Sequence, residues 1–103
     1  MTTPTVDEPG FNRLVLSAEL VARAALRYTP AGLPALDLSL KHESMVTQQD
    51  PARRVSLEIK ARAVGDITHR LGRLELGGRH VFAGYLGSQR NGRGIVFHVT
   101  ELD

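Results

Sequence analysis

No cysteine and no tryptophan occur among the 103 residues. A disulfide scaffold, a thiolate nucleophile and a cysteine-ligated zinc are thereby excluded. The absence of cysteine also fits a reducing compartment. Rings are scarce, with three Phe and two Tyr. No apolar run approaches the roughly 20 residues of a membrane-spanning helix. A large excess of one charge is missing too: 13 Lys+Arg face 11 Asp+Glu, for a formal net charge of +2. That balance rules out a chain that is basic throughout. The opening MTTPTVDEPG lacks the basic start and apolar centre of a secretory signal. A soluble, cytoplasmic protein is the expectation.

Catalytic constellations are absent as well. His42, His69, His80 and His98 show no metal-ligand spacing. The stretch GSQRNGRG lacks the Gly-Lys-Ser/Thr ending of a phosphate loop. No serine lies in a nucleophile-elbow pattern. The chain reads as a binding protein, without catalysis, metal or cofactor.

What is present suits one small domain. The hydrophobic share is 42% and the charged share 23%, enough for a core and unlike a disordered chain. Residues 1–11 are rich in Pro, Thr and acids and read as a disordered leader. The domain is expected over residues 12–103. Within it, Leu14, Leu16, Ala18 and Leu20 alternate with Arg13, Val15, Ser17 and Glu19, the period of a half-buried strand. This first strand is expected to be long and bent, reaching Leu26, with a hairpin loop from Tyr28 to Gly32. Leu36, Leu38 and Leu40 give a second strand, followed by a polar loop from Glu43 to Ala52. Val55, Leu57, Ile59, Ala61 and Ala63 give a third, after which Asp66 is placed to cap a short helix with its carboxylate. Gly77-Gly78 turns into a fourth strand, Arg79 to Leu86, apolar on both faces and so expected to meet the core and a partner copy. Asn91-Gly92 marks the last hairpin, and Ile95, Phe97 and Val99 the fifth strand. Five strands with one short helix between the third and fourth predict an all-β, five-stranded OB-fold barrel. An SH3-like barrel and an open sheet share this pattern.

The cations are unevenly placed. Residues 53–93 carry a net +6, whereas 1–52 and 94–103 each carry −2. Eleven of the thirteen bases are arginine, which forks onto phosphate and stacks on bases. A solvated surface is the plain alternative. A basic face on a strand barrel suits single-strand binding, which needs cations for phosphates and rings for bases. Three groups stand out. Arg27 and Tyr28 lie at the first hairpin, Arg53 and Arg54 at the edge of the third strand beside Lys60 and Arg62, and Arg90 and Arg93 on the last hairpin. In an OB barrel these three groups converge on one face.

The wording of the chain adds to this. Asn12-Arg13-Leu14-Val15-Leu16-Ser17, then Thr29-Pro30-Ala31-Gly32-Leu33-Pro34, then Leu40-Lys41-His42-Glu43-Ser44 resemble the PriB family (primosomal replication protein N) at almost the same spacing. Leu76-Gly77-Gly78-Arg79 and Arg90-Asn91-Gly92 are similar too. The resemblance spans residues 12–103. It implies a homodimer of OB-folds that binds single-stranded DNA without sequence preference. It also implies a role in replication restart, with the helicase PriA and with DnaT as partners. Arg90 and Arg93 match the family's cationic last hairpin, Arg27 its basic first hairpin and Arg53 its basic residue after the second-strand loop. Two aromatic positions of the family fall instead on Pro51 and Ser56, an arginine on Glu43 and a lysine on Ser88. These departures imply weaker or more purely electrostatic DNA binding. An adaptor that binds proteins on the same fold, and a ribosome-associated RNA binder, are the alternative readings.

Overall fold

The computed structural model describes residues 10–47 and 51–103. Most of the expected leader thus lies outside the described residues. The elements are β1 (Leu14–Arg23), β2 (Arg27–Tyr28), β3 (Pro34–Val46), β4 (Arg53–Val64), α1 (Ile67–Gly72), β5 (Arg79–Ser88) and β6 (Ile95–Leu102). β1 pairs antiparallel with β5 over its first half and with β3 over its second, shifting register between Leu20 and Ala22. β3 pairs with β4, β4 runs parallel to β6, and β6 pairs with β5. The five long strands therefore close into a barrel, an OB-fold, with α1 between the third and fourth of them. The β4–β6 pair distinguishes it from an open sheet. Among the described residues no helix is long and apolar enough to cross a membrane.

Alternation explains the core. Ala18 and Leu20, Leu36, Leu38 and Leu40, and Ala61 and Ala63 point inward and are buried. Phe82 and Phe97 are fully buried among them. Leu71 of α1 closes one end of the barrel and has no exposed surface.

Sequence motifs find structural reasons here. The Asn12 amide bonds the Leu86 main chain twice, donating to its carbonyl at 2.7 Å and accepting from its N–H at 2.9 Å. It thus acts as one more rung of the β1–β5 ladder. The His42 ring donates through Nδ1 to the Ser17 carbonyl at 2.6 Å, tying β3 to β1. In the Thr29–Gly32 turn, Pro30 supplies its fixed φ, and Gly32 takes a φ of +85°. The turn closes with Gly32 N–H on the Thr29 carbonyl at 2.8 Å.

Four expectations need correction. β1 stops at Arg23, short of Leu26, where the Arg23 guanidinium leaves the sheet and donates to the Leu71 carbonyl in the last turn of α1 at 3.2 Å and to the Leu74 carbonyl just past it at 2.6 Å. Tyr28 lies in the two-residue strand β2, paired with Pro34, rather than in the loop. The stretch from Glu43 is no loop: β3 continues to Val46 and β4 begins at Arg53, so the hairpin outruns the barrel and leaves Met45 and Leu57 exposed. Asp66 sits at the N-cap of α1 but makes no side-chain cap bond; the Thr68 hydroxyl donates to the Gly65 carbonyl at 2.7 Å instead.

Candidate nucleic-acid interface

The outward faces of β3 and β4 mix cations, acids and serines. Asp37, Ser39, Lys41 and Glu43 stand opposite Arg62, Lys60, Glu58 and Ser56. Asp37 is the centre of this face. Arg62 Nε donates to its Oδ1 at 2.9 Å, and Arg27 reaches it with Nε at 3.2 Å and a second nitrogen at 3.3 Å. Burial works to raise the Asp37 pKa, but the hydrogen bonds and charges of Arg62 and Arg27 outweigh it and hold the carboxyl below its usual value. Arg27 and Arg62 are thereby fixed in place and half neutralised together. Lys60 donates to the Ser39 hydroxyl at 3.2 Å, and Arg54 pairs with Glu43 at 3.2 Å.

Strand parity sorts the remaining candidates. Arg54 shares a face with Lys60 and Arg62, whereas its neighbour Arg53 points to the other side of the protruding hairpin. Tyr28 is two-thirds exposed but pairs with Pro34, one residue out of phase with Ala35, so it faces away from Arg27 and Asp37. Arg90 and Arg93 lie on the β5–β6 turn. Gln89 carbonyl accepts from Gly92 N–H at 2.8 Å, and Gly92 takes a φ of +75°. Neither arginine has a carboxylate partner among the described residues. The root of this hairpin reaches the β3–β4 face: Asp37, Lys60, Arg62, Gln89 and Val96 border one cleft of about 180 Å³. Arg27, Lys60, Arg62 and the last hairpin are therefore brought to one side, and Arg53 and Tyr28 are not.

The structure adds residues that sequence reasoning did not single out. Arg62 stands beside His98 of β6, and His98 is opposite Tyr85 of β5. The Tyr85 and His98 rings are stacked, 4.7 Å apart at 12°. Burial lowers the His98 pKa, and the Arg62 charge lowers it further, favouring the neutral ring. Glycines make room for this pair. A Cβ at Gly84 would fall 1.7 Å from the His98 carbonyl oxygen, and one at Gly87 would fall 3.0 Å from the His98 ring. Asp37, Arg62, His98 and Tyr85 form one row across four strands. Only the register, not the sequence spacing, reveals it. Among the described residues no group of His, Asp and Glu is gathered to hold a metal ion.

The barrel with this polar, arginine-bearing face defines a class, and the comparisons agree on it. The family described as "another single-strand binding protein family" matches residues 12–101. Wild-type single-stranded DNA binding protein from Thermus aquaticus is similar in structure, with a TM-score of 0.72 and 29% identity over 90% of this chain and 49% of that one. A narrower group lies within this class. Replication restart protein PriB of Bordetella pertussis is 46% identical over 79 residues, covering 77% of this chain and 74% of the relative. The solved structure of PriB from Ralstonia solanacearum has a TM-score of 0.84 and 33% identity, covering 91% of this chain and 97% of that one. The chain belongs to the PriB family.

Proposed function

We propose that the protein binds single-stranded DNA without sequence preference during replication restart in the cytoplasm. In this role it stabilises the helicase PriA on DNA and passes the complex on to DnaT. Family membership supports the restart role. The observation that carries the DNA-binding reading is the pair Arg90 and Arg93, cations without a carboxylate partner among the described residues, on a hairpin rooted beside Lys60 and Arg62. Cations without partners release counterions on meeting phosphate, which is the sequence-independent part of affinity. Arg27, Arg54, Lys60 and Arg62 add to the phosphate track, and Arg53 and Tyr28 extend it on the far side of the hairpins.

The reading includes a homodimer. Val15 and Val81 are exposed on the outer face where β1 meets β5, with Ala83 between them. An apolar patch on paired strands is suited to a second copy.

Fluorescence anisotropy of a labelled single strand of roughly 30 nucleotides, titrated at several salt concentrations against a duplex, tests the reading. Single-strand-selective binding that weakens steeply with salt is expected. Arg90→Ala with Arg93→Ala is expected to lower the salt slope by about 1.4, two single-strand contacts' worth. An unchanged slope removes that hairpin from the footprint. The adaptor reading has one observation of its own, the exposed Met45 and Leu57 on the protruding β3–β4 hairpin. Absence of binding at low salt favours it.

A further inference from the structure

The Tyr85–His98 stack is not needed to build the barrel. Tyr85 lies on the outer face and keeps 45% of its surface exposed, while the core positions of the same strand are filled by Phe82 and the buried Gly84. A phenol ring on a protein surface with a second ring flat behind it is a rigid, flat, apolar plate. Its surroundings are mixed: charged side chains flank the ring, and Val64 and Ile67 join the lining of the cleft beside it. Leu14 pairs with Gly84, and the Asn12 side chain bonds the Leu86 main chain, so the register continues and sets Arg13 beside Tyr85. Arg13 is 44% exposed and bonds Glu101 at 3.5 Å, the upper end of hydrogen-bond distance. On the other side of the stack stands Arg62, held by Asp37. A cleft of about 270 Å³ runs beside the plate, bordered by Arg62, Tyr85, His98 and Thr100.

We propose that Tyr85, backed by His98 and flanked by Arg13 and Arg62, is a seat for one unpaired base of a single-stranded nucleic acid. This rests on the single-strand reading above and names a stacking element for it. The base lies on the tyrosine ring, and the phosphates on either side of it meet the two guanidinium groups. The chemistry selects this occupant. Stacking on a ring suits any base, because each has a π-face, and cations on both sides suit a polyanion. The Val15–Val81 end of the same sheet has Arg79 two residues from Val81 but no ring, and suits a second copy.

The full-length chain with Tyr85→Leu or Tyr85→Phe, titrated with labelled oligo(dT), tests the seat. Tyr85→Leu is expected to bind roughly 5- to 100-fold more weakly, and Tyr85→Phe almost as the unaltered protein does. The salt slope should stay unchanged, because a ring releases no counterions. Unchanged affinity in Tyr85→Leu, with Arg90→Ala and Arg93→Ala still weakening binding, overturns the seat and leaves the single-strand reading standing. No binding by the unaltered protein overturns both. Loss of dimer on sedimentation together with loss of binding makes Tyr85 a subunit contact and overturns the seat. Should Tyr85→Leu fail to fold, Tyr28→Phe leaves Tyr85 as the sole tyrosine. Its emission is expected to be quenched by oligo(dT), and unquenched emission at saturation overturns the seat.

Discussion

Two groups of arginines lie on one side of this barrel and differ in what holds them. Arg27 and Arg62 grip one carboxylate, Asp37, and Arg54 grips another, Glu43. Arg90 and Arg93, on the β5–β6 turn, have no carboxylate among the described residues. The first group is held and partly neutralised; the second is held by no ion pair among the described residues. Arginine counts therefore overstate the field of the β3–β4 face and understate the weight of the hairpin. A phosphate reaching Arg62 must share it with Asp37, whereas one reaching Arg90 has no competitor among the described residues. The clamped group offers fixed geometry, and the open group offers net charge.

The hardest way to break this contrast is to detach one region from the other. Gly84 lets β5 lie against the His98 main chain, which sets both the end of the Asp37–Arg62 row and the root of the hairpin. Gly84→Ala puts a methyl group into that backbone contact and is expected to cost about 3 kcal/mol. Urea unfolding followed by circular dichroism measures it. A loss within the noise would mean that β5 shifts without consequence. Asp37→Asn acts on the clamped group alone. It is expected to raise affinity for single strands roughly three-fold and to steepen the salt slope, since Arg27 and Arg62 lose their competitor. Stability should fall by less than about 1 kcal/mol, the pair being partly exposed. Unaltered affinity in Asp37→Asn would mean that the clamped arginines do not meet phosphate.

The smallest effect is a dependence on pH. The pKa of His98 in the fold lies below its ordinary 6.5, so the unfolded chain takes up the proton first. Stability from the neutral ring is complete above pH 6.5 and is lost as pH falls toward the folded value. The difference in unfolding midpoint between pH 7.5 and pH 5.5, about one unit either side of that value, should shrink in His98→Gln. Asp37 follows the same direction in a lower window: its contribution is present above its unfolded 3.8 and lost as pH falls through its folded value. An equal midpoint difference in both proteins would separate His98 from the acid response.

Much of the barrel was legible because alternation is a local signal. Leu36, Leu38 and Leu40 need only each other to declare a buried face, and Gly77-Gly78 and Asn91-Gly92 declare their turns alone. Leu57 shows where that signal stops. It keeps phase with Ile59 and Ala61 but is exposed, because β3 and β4 outrun the barrel, and no local pattern gives the length of a hairpin relative to its neighbours. The end of β1 was hidden for a similar reason, since Arg23 is held by carbonyls of residues 71 and 74. Within the interface, the cations were visible as residue types, but the acid joining two of them was not. Asp37 is ten residues from Arg27 and twenty-five from Arg62. The strand pattern alone puts Tyr85 on an apolar face toward a partner copy, and only the β4–β6 and β5–β6 registers set it beside His98 and Arg62.

The barrel closes through a narrow seam. The parallel register of β4 on β6 consists of Ala61 with Phe97 and Arg62 with His98. The second of these pairs belongs to the surface row from Asp37 to Tyr85, so the row crosses the seam. A polymer lying along that row is therefore also a suture. Its binding free energy opposes separation of β4 from β6, and by linkage any opening of the seam loosens the polymer. Occupancy and closure are then a single equilibrium.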